Sequence, residues 1–307
     1  MTGQSLIALH GKYWLVEPGF AKSVSEILGG LDPKEYFALN KDILEEKEKA
    51  ERAFAVRMQT NQQQTGSRFT DMVDASGILR LTMNGAITER LSSWGGGGIA
   101  LSSFRPIVQG LLEETKSGIC AAKALSMVID SPGGVAIGSL NAGADVAALA
   151  ETMPVMTYAR NLMASAAVAI TCGSHKVISS PAIIAGGVAC VMRWNEYRKL
   201  EMQRGIDYHA VASGPKKIEQ EIYAEDGSLS ADSLEAIQKE INAIGKTFVN
   251  LVATQRKLDE KKTNAVAEGG YWINSDALKS GLIDAQMSEL DYNNYLKRYV
   301  AKYYKGK

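Results

Sequence analysis

The sequence predicts an α/β protein, and three observations carry that expectation. Short apolar runs such as residues 78–83 and 124–129 recur from Gly77 onward. Stretches with helical spacing fall between them, as in residues 104–116 through Ile107, Leu111 and Leu112. Glycine-rich breaks, Gly95 to Gly98 and Pro132-Gly133-Gly134, punctuate the alternation. Strands and helices alternating at this spacing build βαβ units.

The elements follow in order. Residues 1–70 read as an N-terminal extension: Asp32-Pro33 suits a helix start, and residues 34–58 are charge-rich with helical spacing. Such a charge run is first of all a solvated or partner-facing helix face. Residues 59–66, with Gln62-Gln63-Gln64, read as a polar linker. Residues 71–288 form the main domain. Its expected strands are 78–83, 124–129, 155–159, 176–179 and 188–192, with a strand-like run at 208–212. Its expected helices are 104–116, 135–152, 195–204 and 230–255, the last capped by Ser230 or Asp232. Residues 289–307 read as a basic tail carrying Lys297, Arg298, Lys302, Lys305 and Lys307.

Composition narrows the function. The 307 residues carry 34 Lys+Arg against 34 Asp+Glu, a net charge of zero, so a chain-wide basic field for coating nucleic acid is excluded. Cys120, Cys172 and Cys190 are too few and too scattered for a disulfide framework or zinc cluster, and they suit a reducing, cytoplasmic setting. The longest apolar stretches, 162–172 and 181–192, fall short of the ~18–20 residues a bilayer requires. The start, residues 5–16, is interrupted by His10 and Lys12 and does not read as a signal peptide. No membrane partner is expected.

Three short motifs carry chemistry. Asp130-Ser131-Pro132-Gly133-Gly134 follows a strand, where glycines uncover backbone N–H groups able to hold a phosphate, a carboxylate or an oxyanion. Taken alone it is a turn. Ala164-Ser165-Ala166-Ala167 sets one hydroxyl among small residues at the start of a short helix. That hydroxyl is either a helix cap or a nucleophile favoured by the helix N-terminus. Ser213-Gly214-Pro215-Lys216-Lys217 offers lysines, and a buried lysine can replace histidine as the base for serine. A histidine triad is poorly supported, because His10, His175 and His209 stand in no recognisable context.

Their order along the chain resembles the S49 family of serine peptidases, the signal peptide peptidase A type. The resemblance continues through the segment from Gly270-Tyr271-Trp272-Ile273-Asn274 to Gly281-Leu282-Ile283-Asp284 and covers about residues 76–287. It implies a ClpP/crotonase-like fold of repeated ββα units, with an N-terminal helical extension and a C-terminal helical segment. Within the family the chain is most similar to phage capsid assembly (prohead) proteases, given its start at Tyr13-Trp14-Leu15-Val16 and its Gly/Ser-rich loop. The resemblance implies Ser165 as nucleophile and Lys217 as base, with the N–H groups of Gly134 and Ala166 forming the oxyanion hole. Gly133 and Gly187 would bind substrate, and neither cofactor nor metal would be needed. Two departures from the family pattern, Gly186-Gly187-Val188-Ala189-Cys190 and Val168, bear on the substrate groove. The implied partners are protein substrates such as capsid or scaffold proteins, and copies of the chain in a homo-oligomeric ring. A crotonase-type acyl-CoA enzyme, a cytoplasmic S49 peptidase of other purpose and a non-catalytic assembly factor remain alternatives on the same fold.

Overall fold

The apolar runs expected as strands pair side by side. The computed structural model describes residues 14–16, 33–90, 98–194, 196–207 and 209–306. Strands β2 (Ile78–Asn84), β5 (Ala124–Ser131) and β7 (Val155–Ala164) lie parallel in that spatial order. Beyond β7 the sheet forks. Its first half pairs with β8 (Lys176–Ser179) and its last residues with β9 (Ile184–Gly186), both parallel. Antiparallel β10 (Tyr271–Ile273) borders β9, and β11 (Ala285–Gln286) borders β8. A second sheet has the order β1-β6-β3-β4, with β1 (Trp14–Val16), β3 (Ala86–Thr88), β4 (Gly98–Ala100) and β6 (Gly133–Val135).

β5 shows why the central runs are apolar throughout. Leu125, Met127 and Ile129 on one face enter the main core, while Ala124 and Val128 on the other join a second cluster. A parallel strand covered on both faces reads as a continuous hydrophobic run. The main-core face is covered by helices α1 (Pro33–Thr65) in part, α2 (Leu101–Lys116), α3 (Ala136–Ala150) and α4 (Ala166–Thr171). α3 and α4 approach so closely that a Cβ on Gly143 would overlap the Ala169 carbonyl. The remaining helices are α5 (Arg198–Gln203), α6 (Ala231–Arg256), α7 (Glu260–Ala267), α8 (Ser275–Lys279) and α9 (Glu289–Lys305).

The expected tail at 289–307 is largely α9, which covers the opposite face of the sheet. Tyr292, Leu296 and Val300 are buried there. Tyr292 stacks on Tyr158 at 5.0 Å and its hydroxyl bonds Ser126 Oγ at 2.8 Å. Its basic residues lie on a helix whose apolar stripe recurs every four residues.

The polar stretch at 59–66 is not a linker up to Thr65, because α1 continues through it. Glutamine is a good helix former, so three in a row do not stop a helix. The end of α1 is tied down by Glu114 of α2, which accepts from Ser67 Oγ (2.6 Å) and Arg68 Nε (2.8 Å).

Other boundaries differ as well. The strand expected at 188–192 lies at Ile184–Gly186, displaced by the need to pair with Leu162–Ala164. Residues 209–212 form no strand, and the helix expected at 195–204 is α5 alone. In the glycine-rich loop, 95–97 lie outside the described residues. Among the described residues no helix is long and apolar enough to cross a membrane.

Candidate active site

Ser165 stands on a sharp turn between β7 and α4, with φ 56° and ψ −115°. A non-glycine residue there costs on the order of 1–3 kcal/mol, and such strain persists only where the surroundings enforce it. Here they do. Ser165 N–H donates to the Gly186 carbonyl at 2.7 Å, and the Ser165 carbonyl accepts from Val168 (2.8 Å) and Ala169 (3.1 Å). The residue is 2% exposed and its hydroxyl makes no capping bond. The capping alternative raised by the sequence therefore fails. A strand–turn–helix elbow of this kind pushes the side chain out of the sheet edge with its oxygen uncommitted.

Upstream, the Asp130–Gly134 motif is a set of pins. The β5/β7 register runs Ile129↔Ala159 and then Ser131↔Met163, so β7 carries extra residues between the two pairs. A bulge leaves backbone groups unpaired. Asp130 takes up one of them, accepting from Leu162 N–H (3.1 Å), and it also accepts from the Asn161 side-chain Nδ2 (2.6 Å). Ser131 Oγ donates to the Gly85 carbonyl (2.7 Å) and accepts from Gly133 N–H (3.1 Å). Gly133 has φ +97°, a conformation side chains rarely adopt. Asp130 and Asn161 are positioning residues the motif reading did not single out, and the aspartate beside Pro-Gly-Gly was the signal for them.

The expected oxyanion donors differ in setting. Ala166 is the first residue of α4, so its N–H has no intrahelical acceptor. Gly134 is not in an open loop. It lies inside β6, paired to Ile87 of β3 on one side and Leu15 of β1 on the other. α4 packs against β6, the strand that holds Gly133 and Gly134. Gly187 follows β9 at φ +70°, donates to the Gly270 carbonyl (2.8 Å) and faces the Tyr271 ring. Val168 is buried in the core at 1% exposure, so that departure from the family pattern is a packing residue rather than a groove residue.

No hydrogen bond joins Lys217 to Ser165 among the described residues. Lys217 ends a 3-10 turn, Pro215–Lys217, exposed to solvent, and its ammonium makes no hydrogen bond or ion pair among the described residues. Lys216 beside it is exposed too. Of the histidines, His175 accepts from Val155 N–H at 3.2 Å, a structural bond, His209 is exposed, and His10 lies outside the described residues. The described residues contain no cluster of His, Cys, Asp and Glu able to hold a metal.

The model of peptidase family S49 matches residues 147–300, the stretch that holds Ser165, the Ser213–Lys217 loop and Asp284. The chain belongs to peptidase family S49. This S49 chain is 28% identical to a candidate protease of Synechocystis sp. over 197 residues, 64% of the chain and 68% of that protein. It is 28% identical to the chloroplastic serine protease SPPA of Arabidopsis thaliana over 163 residues, 53% of the chain and 24% of that protein. The S49 chain thus spans about a quarter of the chloroplast relative's length. Among solved structures, a ClpP1 variant from Listeria monocytogenes covers 69% of the S49 chain and 92% of its own, with a TM-score of 0.40 at 12% identity.

The Gly281-Leu282-Ile283-Asp284 ending has a physical role. Asp284 accepts from Val177 N–H (2.7 Å) and pairs with Arg256 (2.7 Å), whose side chain is 6% exposed. It fastens the segment before α9 onto β8.

Proposed function

We propose that this chain is a serine endopeptidase whose nucleophile is Ser165 and whose base is Lys217 contributed by a neighbouring copy. The observation that carries the reading is the strained, uncapped elbow of Ser165, inside the stretch that places the chain in family S49. In the reaction Ser165 Oγ attacks the peptide carbonyl as neutral Lys217 takes its proton. The resulting ammonium then protonates the departing amine. Water, activated by the same lysine, hydrolyses the acyl-enzyme and returns the serine. Gly134 and Ala166 N–H groups stabilise the oxyanion, each worth about 3 kcal/mol by comparison with measured donors.

The case for a neighbour's lysine rests on exposure. A lysine serves as base when burial lowers its pKa, and the single chain leaves Lys217 in solvent. The segment around it exposes Leu200, Met202, Ile206, Val211 and Ile222. An apolar surface of that kind suits a repeated contact between copies, and a ring closes such contacts. Substrates are proposed to be capsid or scaffold proteins of a phage head, on the strength of the Trp14 start and the glycine-rich loop. Portal and major capsid genes flanking the coding sequence would agree with that substrate class, and an unrelated gene neighbourhood would count against it.

The test of the activity is a fluorophosphonate probe on the assembled protein. Mass spectrometry is expected to place one adduct per chain on Ser165, with loss of peptide hydrolysis in proportion. Hydrolysis that continues after Ser165 is fully modified would refute the nucleophile.

A further inference from the structure

β6 has two neighbours in its sheet. One is β3, which joins it through the Ile87↔Gly134 pair. The other is β1, a strand of three residues from the far N-terminal end of the chain. It runs antiparallel with Trp14↔Val135, Leu15↔Gly134 and Val16↔Gly133. Among the described residues β1 is the outermost strand of that sheet. Without it, the backbone of Gly133–Val135 would be a free sheet edge beginning at the Gly-Gly pair, on the strand against which α4, the helix that follows Ser165, packs.

A free edge of this kind recognises an extended polypeptide through main-chain hydrogen bonds, with little demand on sequence. That is also how β1 is held. Three residues make a short ladder, one that a longer peptide in the same register can displace. Gly134 adds a steric argument. A Cβ there would overlap the Ile87 carbonyl, so β6 lies hard against β3 and has only the β1 side left for another strand.

We propose that β1 is an intramolecular occupant of the strand-docking edge at Gly133–Val135, and that an extended peptide must displace it to reach Ser165. The proposal rests on the peptidase reading for the role of Ser165, but the docking of a strand on β6 is measurable without catalysis. It assigns a regulatory contact to the N-terminal extension: a device that limits access until a peptide, a partner or removal of the segment frees β6.

Successive N–H groups of a strand point to opposite sides, so one of Leu15 and Val16 donates toward β6. Proline removes the donor. Leu15→Pro and Val16→Pro are therefore each made in full-length protein that also carries Ser165→Ala. A fluorescein-labelled peptide with the sequence of residues 10–20 is the probe. Its binding, followed by polarisation, is expected to tighten at least tenfold in one or both proline variants relative to Ser165→Ala alone. Equal affinity in all three, with the variants folded, would overturn the proposal.

A second measurement covers the case in which proline impairs folding. Trp14→Cys with Val135→Cys places cysteines at directly opposed positions, close enough for a disulfide. Oxidation is expected to abolish peptide binding and reduction to restore it, while oxidation of the parent leaves binding unchanged. Binding that persists in the verified disulfide form would also overturn the proposal. Absence of any fluorophosphonate adduct on Ser165, with binding still following β1, would count against the peptidase reading alone.

Discussion

At the residue scale the decisive feature is a backbone angle, and Ser165 can be separated from its role by substitution. Its hydroxyl supports no cap, so Ser165→Ala is expected to abolish hydrolysis while changing stability by less than about 1 kcal/mol, the worth of an ordinary N-cap. Ser165→Gly, which relieves φ 56°, is expected to be equally inactive and at least as stable. Urea denaturation alongside a peptide assay checks both. A loss of several kcal/mol on Ser165→Ala would mark the residue as structural.

The thiols are the competing nucleophiles, with Cys172 buried and Cys120 and Cys190 partly buried. Burial pushes the Cys172 pKa up to about 12 and that of Cys190 up to about 11. Both shifts run upward, so at neutral pH almost none of either thiol is ionised, and the reactive thiolate forms only as pH approaches those values. Iodoacetamide at pH 8 is expected to label these two far more slowly in native protein than in denaturant, with the native rate rising as pH is raised. Rapid native labelling of Cys172 at neutral pH would contradict its burial.

At the element scale Gly134 changes meaning once β6 is seen. From the motif alone, a side chain at Gly134 is expected to crowd substrate and damage turnover more than stability. The close approach of Ile87 reverses that order. Gly134→Ala is expected to cost about 1–3 kcal/mol by forcing β6 away from β3, with activity falling as a consequence. Thermal unfolding checks it, and an unchanged melting temperature would show that β6 is freer than its pairing implies. Pro215–Lys217 is a 3-10 turn, in which consecutive side chains fan apart by about a third of a turn. Lys216 and Lys217 present different faces, so Lys217→Ala is expected to be inactive and Lys216→Ala active.

At the scale of the whole molecule the question is where the site is completed. Ser165 is buried and Lys217 is in solvent, and among the described residues no hydrogen bond joins them. Subunits carrying Ser165→Ala and subunits carrying Lys217→Ala are each expected to be inactive. Mixed and reassembled, they are expected to regain activity, because some interfaces pair an intact serine with a neighbour's intact lysine. A mixed assembly verified by mass that stays inactive would place the dyad within one chain.

Local signals were enough for the central strands, for α3 and α6, and for the Pro-Gly-Gly break. Each depends on residues near in sequence: an apolar run buried on both faces, a helical stripe, a turn that needs glycine. Ser230 was legible for the same reason, and it caps α6 by accepting from Ser233 N–H. What only the tertiary structure decided involves partners far along the chain. β7 continues past Arg160 and Asn161 because Asp130, about thirty residues earlier, accepts from Leu162 N–H and holds the Asn161 side chain. β9 sits where Leu162–Ala164 can pair with it, and the basic C-terminal stretch is a packed helix because Tyr292 meets Tyr158 and Ser126. The same division runs through the site. Sequence order singled out Ser165, since a lone hydroxyl among alanines needs no distant partner to be noticed. The strain that frees its oxygen comes from Gly186, and the cover over Gly134 comes from residues 14–16, because hydrogen-bond partners and sheet edges are settled only when remote strands meet.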